Sequence, residues 1–283
     1  MERFEVTAGD LTFRGVATGP VDGRLVLFLH GFPQSSLEWR AQMAALADAG
    51  YRAVAFDQRG YSPRARPGDV ESYGVVHLVA DVLAVADDMG GHQFDLVGHD
   101  WGAAVAWHLA GRYPRRVRTL TAVSVPHPKS FRAAMAKGDQ AERSAYMLWF
   151  RTKPDEAEEM LLADDGTLLR TMFGELGASA DDYVRLMQEP GALRGALSWY
   201  RAMGPDDVND LGPVTAPTMF VWSDGDPAIG ADAAHACEEH VDGPFRFEVL
   251  EGVDHWIPEK AADQLNRLLL SHLGANQIPP NQV

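Results

Sequence analysis

Apolar residues along the chain fall into short solid runs, separated by stretches where they recur every three or four positions. That pattern predicts strands buried on both faces, alternating with amphipathic helices. Arg24–His30 (RLVLFLH), Tyr51–Phe56 and Phe94–Val97 are solid runs, and a further strand is expected near Val117–Val125. Between them Trp39, Met43 and Leu46, and later Val75, Val79, Val82, Leu83 and Ala86, keep helical spacing, and a helix is expected from Gly102 to about Tyr113. Ahead of these units, Phe4-Glu5-Val6 and Leu11-Thr12-Phe13 flank Gly9-Asp10, a hairpin signal. Repeated strand–helix units build a mostly parallel sheet with helices on both faces, the α/β class.

The alternation breaks at Pro126-His127-Pro128. From there to about Val208 no buried strand is expected, only helix-like stretches such as Asp181–Glu189, where Tyr183, Leu186 and Met187 stand at i, i+3 and i+4. Six of the ten methionines lie here (Met135, Met147, Met160, Met172, Met187, Met203), with Tyr146, Trp149, Phe150, Phe173, Trp199 and Tyr200. Such side chains fasten an insertion to a core, and their adaptability also suits an apolar pocket. Strand character returns at Thr218–Trp222 and Phe245–Leu250, and a last amphipathic helix over Ala261–Leu273 carries Leu265, Leu268, Leu269 and Leu273 on one face. The expected organisation is a core of residues 1–125 and 209–283 around an inserted helical cap, 126–208. The polar tail Ala275–Val283, with two prolines, is expected to be loose.

The 283 residues suffice for one large domain carrying an insertion, and 46% hydrophobic with 23% charged residues is an ordinary soluble composition. Forty acidic against 25 basic side chains give a formal charge of −15, which repels phosphate backbones and anionic lipid. Neither nucleic acid nor membrane is therefore an expected partner. The single cysteine, Cys237, has no internal disulfide partner. Met1-Glu2-Arg3-Phe4-Glu5 lacks both parts of a signal peptide, and no apolar run approaches the roughly 18 residues of a spanning helix. A cytoplasmic location is expected. The core accounts for the apolar positions, leaving none from which to read an oligomeric state.

Candidate chemistry sits between the Phe94–Val97 strand and the next helix, in Gly98-His99-Asp100-Trp101-Gly102. Small residues two before and two after the centre allow a sharp strand-to-helix turn that lifts the central side chain above the sheet. The centre here is aspartate, which ordinarily titrates at about 3.9; it is ionised at neutral pH and needs no base to activate it. The helix N-terminus behind it also favours the anion. Attack on an acyl carbon would give a reactive anhydride, whereas attack on saturated carbon gives an ordinary ester that water can cleave. The expected substrate thus carries an electrophilic sp³ carbon. Ester cleavage needs a base, and Val253-Asp254-His255-Trp256 follows the Phe245–Leu250 strand. Ser223-Asp224-Gly225-Asp226 follows Thr218–Trp222, and a carboxylate there can fix the imidazole tautomer. Asp226 is preferred, with Asp224 suited to capping the turn. His235, His240 and His272 fall on expected helices and read as surface residues.

With His30-Gly31-Phe32-Pro33, Asp57-Gln58-Arg59-Gly60-Tyr61, Gly98–Gly102 and Asp254-His255-Trp256 in this order, the chain resembles an α/β-hydrolase of the epoxide hydrolase group along nearly its full length. The resemblance implies an oxyanion hole from the backbone N–H groups of Phe32 and Trp101, a loop shaped by His30, and a cis bond before Pro33. Ser62 stands where many relatives have glycine. An epoxide oxygen leaves as a strongly basic alkoxide unless an acid protonates it, and neutral tyrosine, which ordinarily titrates at about 10, can do so. In epoxide hydrolases two cap tyrosines take this part. Their contexts are matched by Trp199-Tyr200-Arg201 and by Tyr146-Met147-Leu148-Trp149-Phe150 with Pro154. Tyr183 has neither context.

Haloalkane dehalogenases share the scaffold, and Trp101 could serve as a halide donor. Their second donor, an Asn after the His-Gly pair, is here Phe32, and fluoroacetate-type relatives carry arginine where Trp101 stands. A scaffold retained as a small-molecule receptor would not be expected to keep the whole set. The expectation is therefore an epoxide hydrolase acting on a small apolar epoxide and water, without metal or organic cofactor. Asp100, Asp226, His255, Tyr146 and Tyr200 would be catalytic, and His30, Pro33, Trp149, Trp199 and Trp256 would lie around the pocket. The alternative is a haloalkane dehalogenase-type hydrolase on the same triad.

Overall fold

A computed structural model describes residues 1–204 and 206–276. The strands are β1 (Glu2–Ala8), β2 (Leu11–Thr18), β3 (Leu25–Leu29), β4 (Arg52–Phe56), β5 (Phe94–His99), β6 (Val117–Val123), β7 (Thr218–Ser223) and β8 (Phe245–Leu250). They form one eight-stranded sheet in the order β1-β2-β4-β3-β5-β6-β7-β8. β1, β2 and β4 pair antiparallel, and every pair from β4/β3 to β7/β8 is parallel. The solid apolar runs become the middle of this sheet, since every residue of β3, β5 and β7 is buried. At the edges, β1 is exposed along much of its length and β8 is mostly half-buried.

Because side chains alternate across a strand, each run feeds two cores. Val26 and Phe28 face Trp39, Met43, Leu46, Leu265, Leu269 and Leu273, carried by the 3₁₀ turn Ser36–Trp39, helix α1 (Arg40–Asp48) and the C-terminal helix. Leu27 and Leu29 join the opposite cluster, with Val79 and Val82 of α2 (Val75–Asp88) and Ala103 to Ala110 of α3 (Trp101–Arg112).

Between β6 and β7 lie seven helices and no strand among the described residues: α4 (Pro128–Met135), α5 (Gln140–Arg143), α6 (Ala145–Thr152), α7 (Pro154–Phe173), α8 (Ala178–Met187), α9 (Ala192–Ala202) and α10 (Asp206–Asn209). α7 is interrupted at Asp164, Asp165 and Gly166, all with positive φ. The helix expected at Asp181–Glu189 begins three residues earlier, directly after Gly177 at φ 59°. Phe150, Phe173, Tyr183, Met187, Trp199 and Tyr200 are buried and belong to the same apolar cluster as α2 and α3. Met135 and Met160 point outward.

After β7 come α11 (Ala231–His235), α12 (Ile257–Lys260) and α13 (Ala262–Ala275). The expected histidine exposures hold for His235 but not for His272, which is buried. It stands three residues after Leu269, on the stripe that α13 turns to the sheet. His240 is half-buried, its ring 4.6 Å from that of His127. Residues 277–283, the body of the expected loose tail, lie outside the described residues. Among the described residues no helix is long and apolar enough to cross a membrane.

Candidate active site

The functional candidates of the core converge at the C-terminal ends of parallel strands, where open α/β sheets present their crevice. Asp100 leaves β5 at φ 51° and ψ −120°, and α3 begins at the next residue. A non-glycine residue held at positive φ carries backbone strain and persists only where its surroundings enforce it. The enforcement is close packing, since a Cβ on Gly102 would sit 2.1 Å from the Leu29 carbonyl oxygen. The loop after β3 presses equally close, a Cβ on Gly31 falling 2.4 Å from Asp100 Cβ. That loop contains the cis Phe32-Pro33 bond, and Phe32 donates its backbone N–H to Asp100 Oδ1 at 2.8 Å. Oδ2 is left facing His255 Nε2 at 3.4 Å.

His255 Nδ1 lies 2.7 Å from Asp226 Oδ2. The other oxygen, Asp226 Oδ1, accepts the N–H groups of Ala228 (2.8 Å) and Ile229 (3.1 Å), so the carboxylate is fixed at both ends. Asp224 points away and accepts the N–H of Gly252 at 2.7 Å, a turn cap. Burial alone would push His255 down. The charge of Asp226 and the hydrogen bonds and charge of Asp100 and Asp226 outweigh it and raise the imidazole to about 10. Burial likewise pushes Asp100 up, but the His255 hydrogen bond and charge, with smaller help from His99 and the Phe32 N–H, bring it below the usual carboxylate range. At neutral pH the pair is imidazolium and carboxylate.

Tyr146 on α6 and Tyr200 on α9 stand together over this site, their ring centroids 6.1 Å apart. Tyr200 packs edge-on against Phe32 (5.6 Å), Trp101 (5.0 Å) and Phe150 (5.1 Å). Burial raises both phenols. The charges of Asp100 and Asp226 add to this at Tyr146, while Tyr146 and Asp100 add to it at Tyr200. The nearby polar groups of Tyr200 at Tyr146, and of Trp101 at Tyr200, act weakly in the opposite sense. Both hydroxyls therefore stay protonated at neutral pH and are available as donors.

A profile described as the alpha/beta hydrolase fold matches residues 24–262. The chain belongs to that family. It is 32% identical to the AB hydrolase superfamily protein YfhM of Bacillus subtilis, over 95% of this chain and 96% of that protein. It is 30% identical to epoxide hydrolase A of Mycobacterium tuberculosis, over 96% of this chain and 97% of that one. Among solved structures, epoxide hydrolase A from Mycobacterium thermoresistibile superposes with a TM-score of 0.86 at 28% identity, covering 98% of this chain and 99% of that one. A mutant of an epoxide hydrolase from Bacillus megaterium, complexed with a naphthyloxy-propanediol product, superposes equally well (TM-score 0.86, 27% identity, 96% and 100% coverage).

In this α/β-hydrolase chain the remaining candidates brace the site more than they line it. His30 accepts the Gln58 N–H on Nε2 (3.1 Å) and packs on Tyr61 at 4.4 Å, while Gln58 Nε2 donates to the His30 carbonyl at 2.7 Å. Trp199 donates its indole N–H to the Arg59 carbonyl (2.9 Å) and Trp256 donates to the Met172 carbonyl (2.9 Å), so each joins the inserted helices to a core loop. Trp256 also sets its ring edge against His255 at 5.2 Å. Trp149 is half-buried, its ring tilted against Phe150 at 5.3 Å, and turns its N–H to Glu156 Oε1 at 3.2 Å. Phe150, named from sequence only as a cap aromatic, packs on both tyrosines. Sequence reasoning missed His99 and Ser124, which hold the His255 carbonyl, with Glu38 beside His99, and Glu259, which accepts the Tyr183 hydroxyl. The one available signal was Gln34 and Glu38 spaced four apart in the loop after His30-Gly31-Phe32-Pro33.

Proposed function

We propose that this chain is an epoxide hydrolase converting a small apolar epoxide to a vicinal diol through a covalent ester on Asp100. The observation carrying the reading is the paired phenols of Tyr146 and Tyr200 above a buried carboxylate that is already ionised. A halide would leave without a proton, so two neutral O–H donors over the nucleophile favour an oxygen leaving group. The Trp101 ring, a halide donor in the alternative reading, packs edge-on against Tyr200 at 5.0 Å, and Phe32 supplies no second side-chain donor.

Asp100 Oδ2 attacks one epoxide carbon as the carbon–oxygen bond breaks, and the developing alkoxide takes a proton from the tyrosine pair. Ester formation removes the negative charge that held the proton on His255, and that proton restores the phenol. Neutral His255, oriented by Asp226, then takes a proton from water as the oxygen adds to the Asp100 carbonyl carbon. The Phe32 N–H, with that of Trp101, stabilises the oxyanion. The alkyl oxygen leaves with the proton from His255, releasing the diol, and the Asp100 carboxyl then passes its remaining proton to His255, which restores the resting imidazolium–carboxylate pair. In this scheme residues 126–208 act as a lid over a core of 1–125 and 209–283, delivering the tyrosines and excluding water while the epoxide opens.

The test is His255→Gln mixed with styrene-type and aliphatic epoxides. The first step proceeds and the second fails, so intact-mass measurement should show protein plus substrate. An unmodified mass with epoxide bound would refute the assignment.

A further inference from the structure

The loop carrying His255 is held from behind. Its carbonyl oxygen accepts hydrogen bonds from Ser124 Oγ (3.1 Å) and from His99 Nε2 (2.9 Å). A carbonyl oxygen has nothing to donate, so His99 Nε2 carries a hydrogen. His99 Nδ1 faces Glu38 Oε2 at 3.4 Å, and neither side chain has any exposed surface. Two arrangements satisfy this contact. Either His99 is an imidazolium paired with a Glu38 carboxylate, or His99 is neutral and accepts the O–H of a Glu38 carboxylic acid.

The ion pair would bury two charges in poor company. It sets a second cation with its ring 4.9 Å from that of His255, and a second anion among Glu259 and Asp100. Glu38 is faced by His99, Glu259 and Asp100; His99 by His255, Asp100 and Asp226; and Glu259 by Tyr183, Gln34 and Arg40. The cost of desolvating two charges is offset only where their remaining lone pairs and protons are satisfied. Glu38 Oε1 has no hydrogen-bond partner among the described residues.

We propose that Glu38 is a positioning residue held as a neutral acid, fixing His99 in the Nε2–H tautomer that clamps the His255 carbonyl. Burial, reinforced by Glu259, raises the Glu38 carboxyl well above the usual range, and burial with the His255 charge holds His99 down at about 3. The arrangement keeps positive charge on one imidazole of the pair and sets the backbone from which the base projects. Its kinetic consequence rests on the reading of His255 as the base in ester hydrolysis.

Two measurements on the full chain test it. Nitrogen-15 NMR of labelled histidine should report His99 as the neutral Nε2–H tautomer throughout the neutral range; an imidazolium signature overturns the proposal whatever the reaction is. In single-turnover kinetics with an epoxide, Glu38→Gln replaces one neutral donor by another, and ester hydrolysis should stay within about twofold with an unmoved pH profile. Glu38→Ala should slow hydrolysis about tenfold, the worth of one buried hydrogen bond, with less effect on ring opening. A Gln variant as slow as the Ala variant, or with a shifted acid limb, means the native group is ionised and overturns the proposal. Ester absent from every variant and from the wild type would instead defeat the functional reading, leaving the NMR result to decide this one.

Discussion

Replacing Asp100 by Asn removes the same charge that ester formation removes, with little change of shape, so it isolates what the ester does to the base. Asp100 Oδ2 lies 3.4 Å from His255 Nε2. At an effective dielectric constant of about 20, that pair interaction is worth about 5 kcal/mol. With about 1.4 kcal/mol per pH unit, this equals between about three and four pH units of proton affinity. The wild-type imidazole is raised to about 10, which makes it a cation and no base in the resting enzyme at neutral pH. In Asp100→Asn it should titrate about three pH units lower, near the neutral range. The assay is an NMR titration of His255 in both proteins. A difference under about one pH unit would refute the reasoning, because the base would then not be switched on by alkylation of its neighbour. The acid limb of wild-type turnover should likewise report the ester-state imidazole and fall well below about 10.

Tyr146→Phe combined with Tyr200→Phe should lower epoxide opening by about 10²- to 10⁴-fold, while any halide release from haloalkanes, which needs no proton, is spared. Equal losses on both substrate classes, scored as diol and halide, would contradict a proton-donating role. His127 packs against Trp107 (5.3 Å) and His240 (4.6 Å), and burial, aided by the charges of His240, His108 and Lys129, holds it down at about 3 against an ordinary 6.5. The unfolded chain takes up this proton first as pH falls, so stability is complete above 6.5 and is lost toward 3, at about 1.4 kcal/mol per pH unit. His127→Asn keeps an acceptor for the Lys129 N–H, and should flatten the melting temperature against pH in that window; an unchanged slope would count against the assignment.

Much of the fold was legible because burial on both faces leaves an unmistakable mark. β3, β5 and β7 are wholly buried and read as solid runs, whereas β1 and β2 extend beyond the short alternating segments that announced them. Most of the inserted helices escaped individual reading. They are short, several pack on one another as well as on the core, and α6 carries aromatics around its circumference, so periodicity has little to grip. For the site, Asp100 and His255 could be nominated because each follows a recognisable strand. Asp224 and Asp226 lie two residues apart in one turn. What separates them is which way each carboxylate points, toward Gly252 or toward His255, and spacing cannot supply that. The Glu38–His99 contact joins residues 61 positions apart, with no local pattern to connect them.

The central claim is a bond between the substrate and the Asp100 side chain, and a single turnover in ¹⁸O-labelled water tests it most directly. With enzyme in excess over epoxide, water attacks the ester carbonyl, so the label should be found in the peptide containing Asp100 and the diol should carry an oxygen from the unlabelled enzyme. Label recovered in the diol, with Asp100 unlabelled, would mean that water attacks the epoxide itself and would contradict the mechanism.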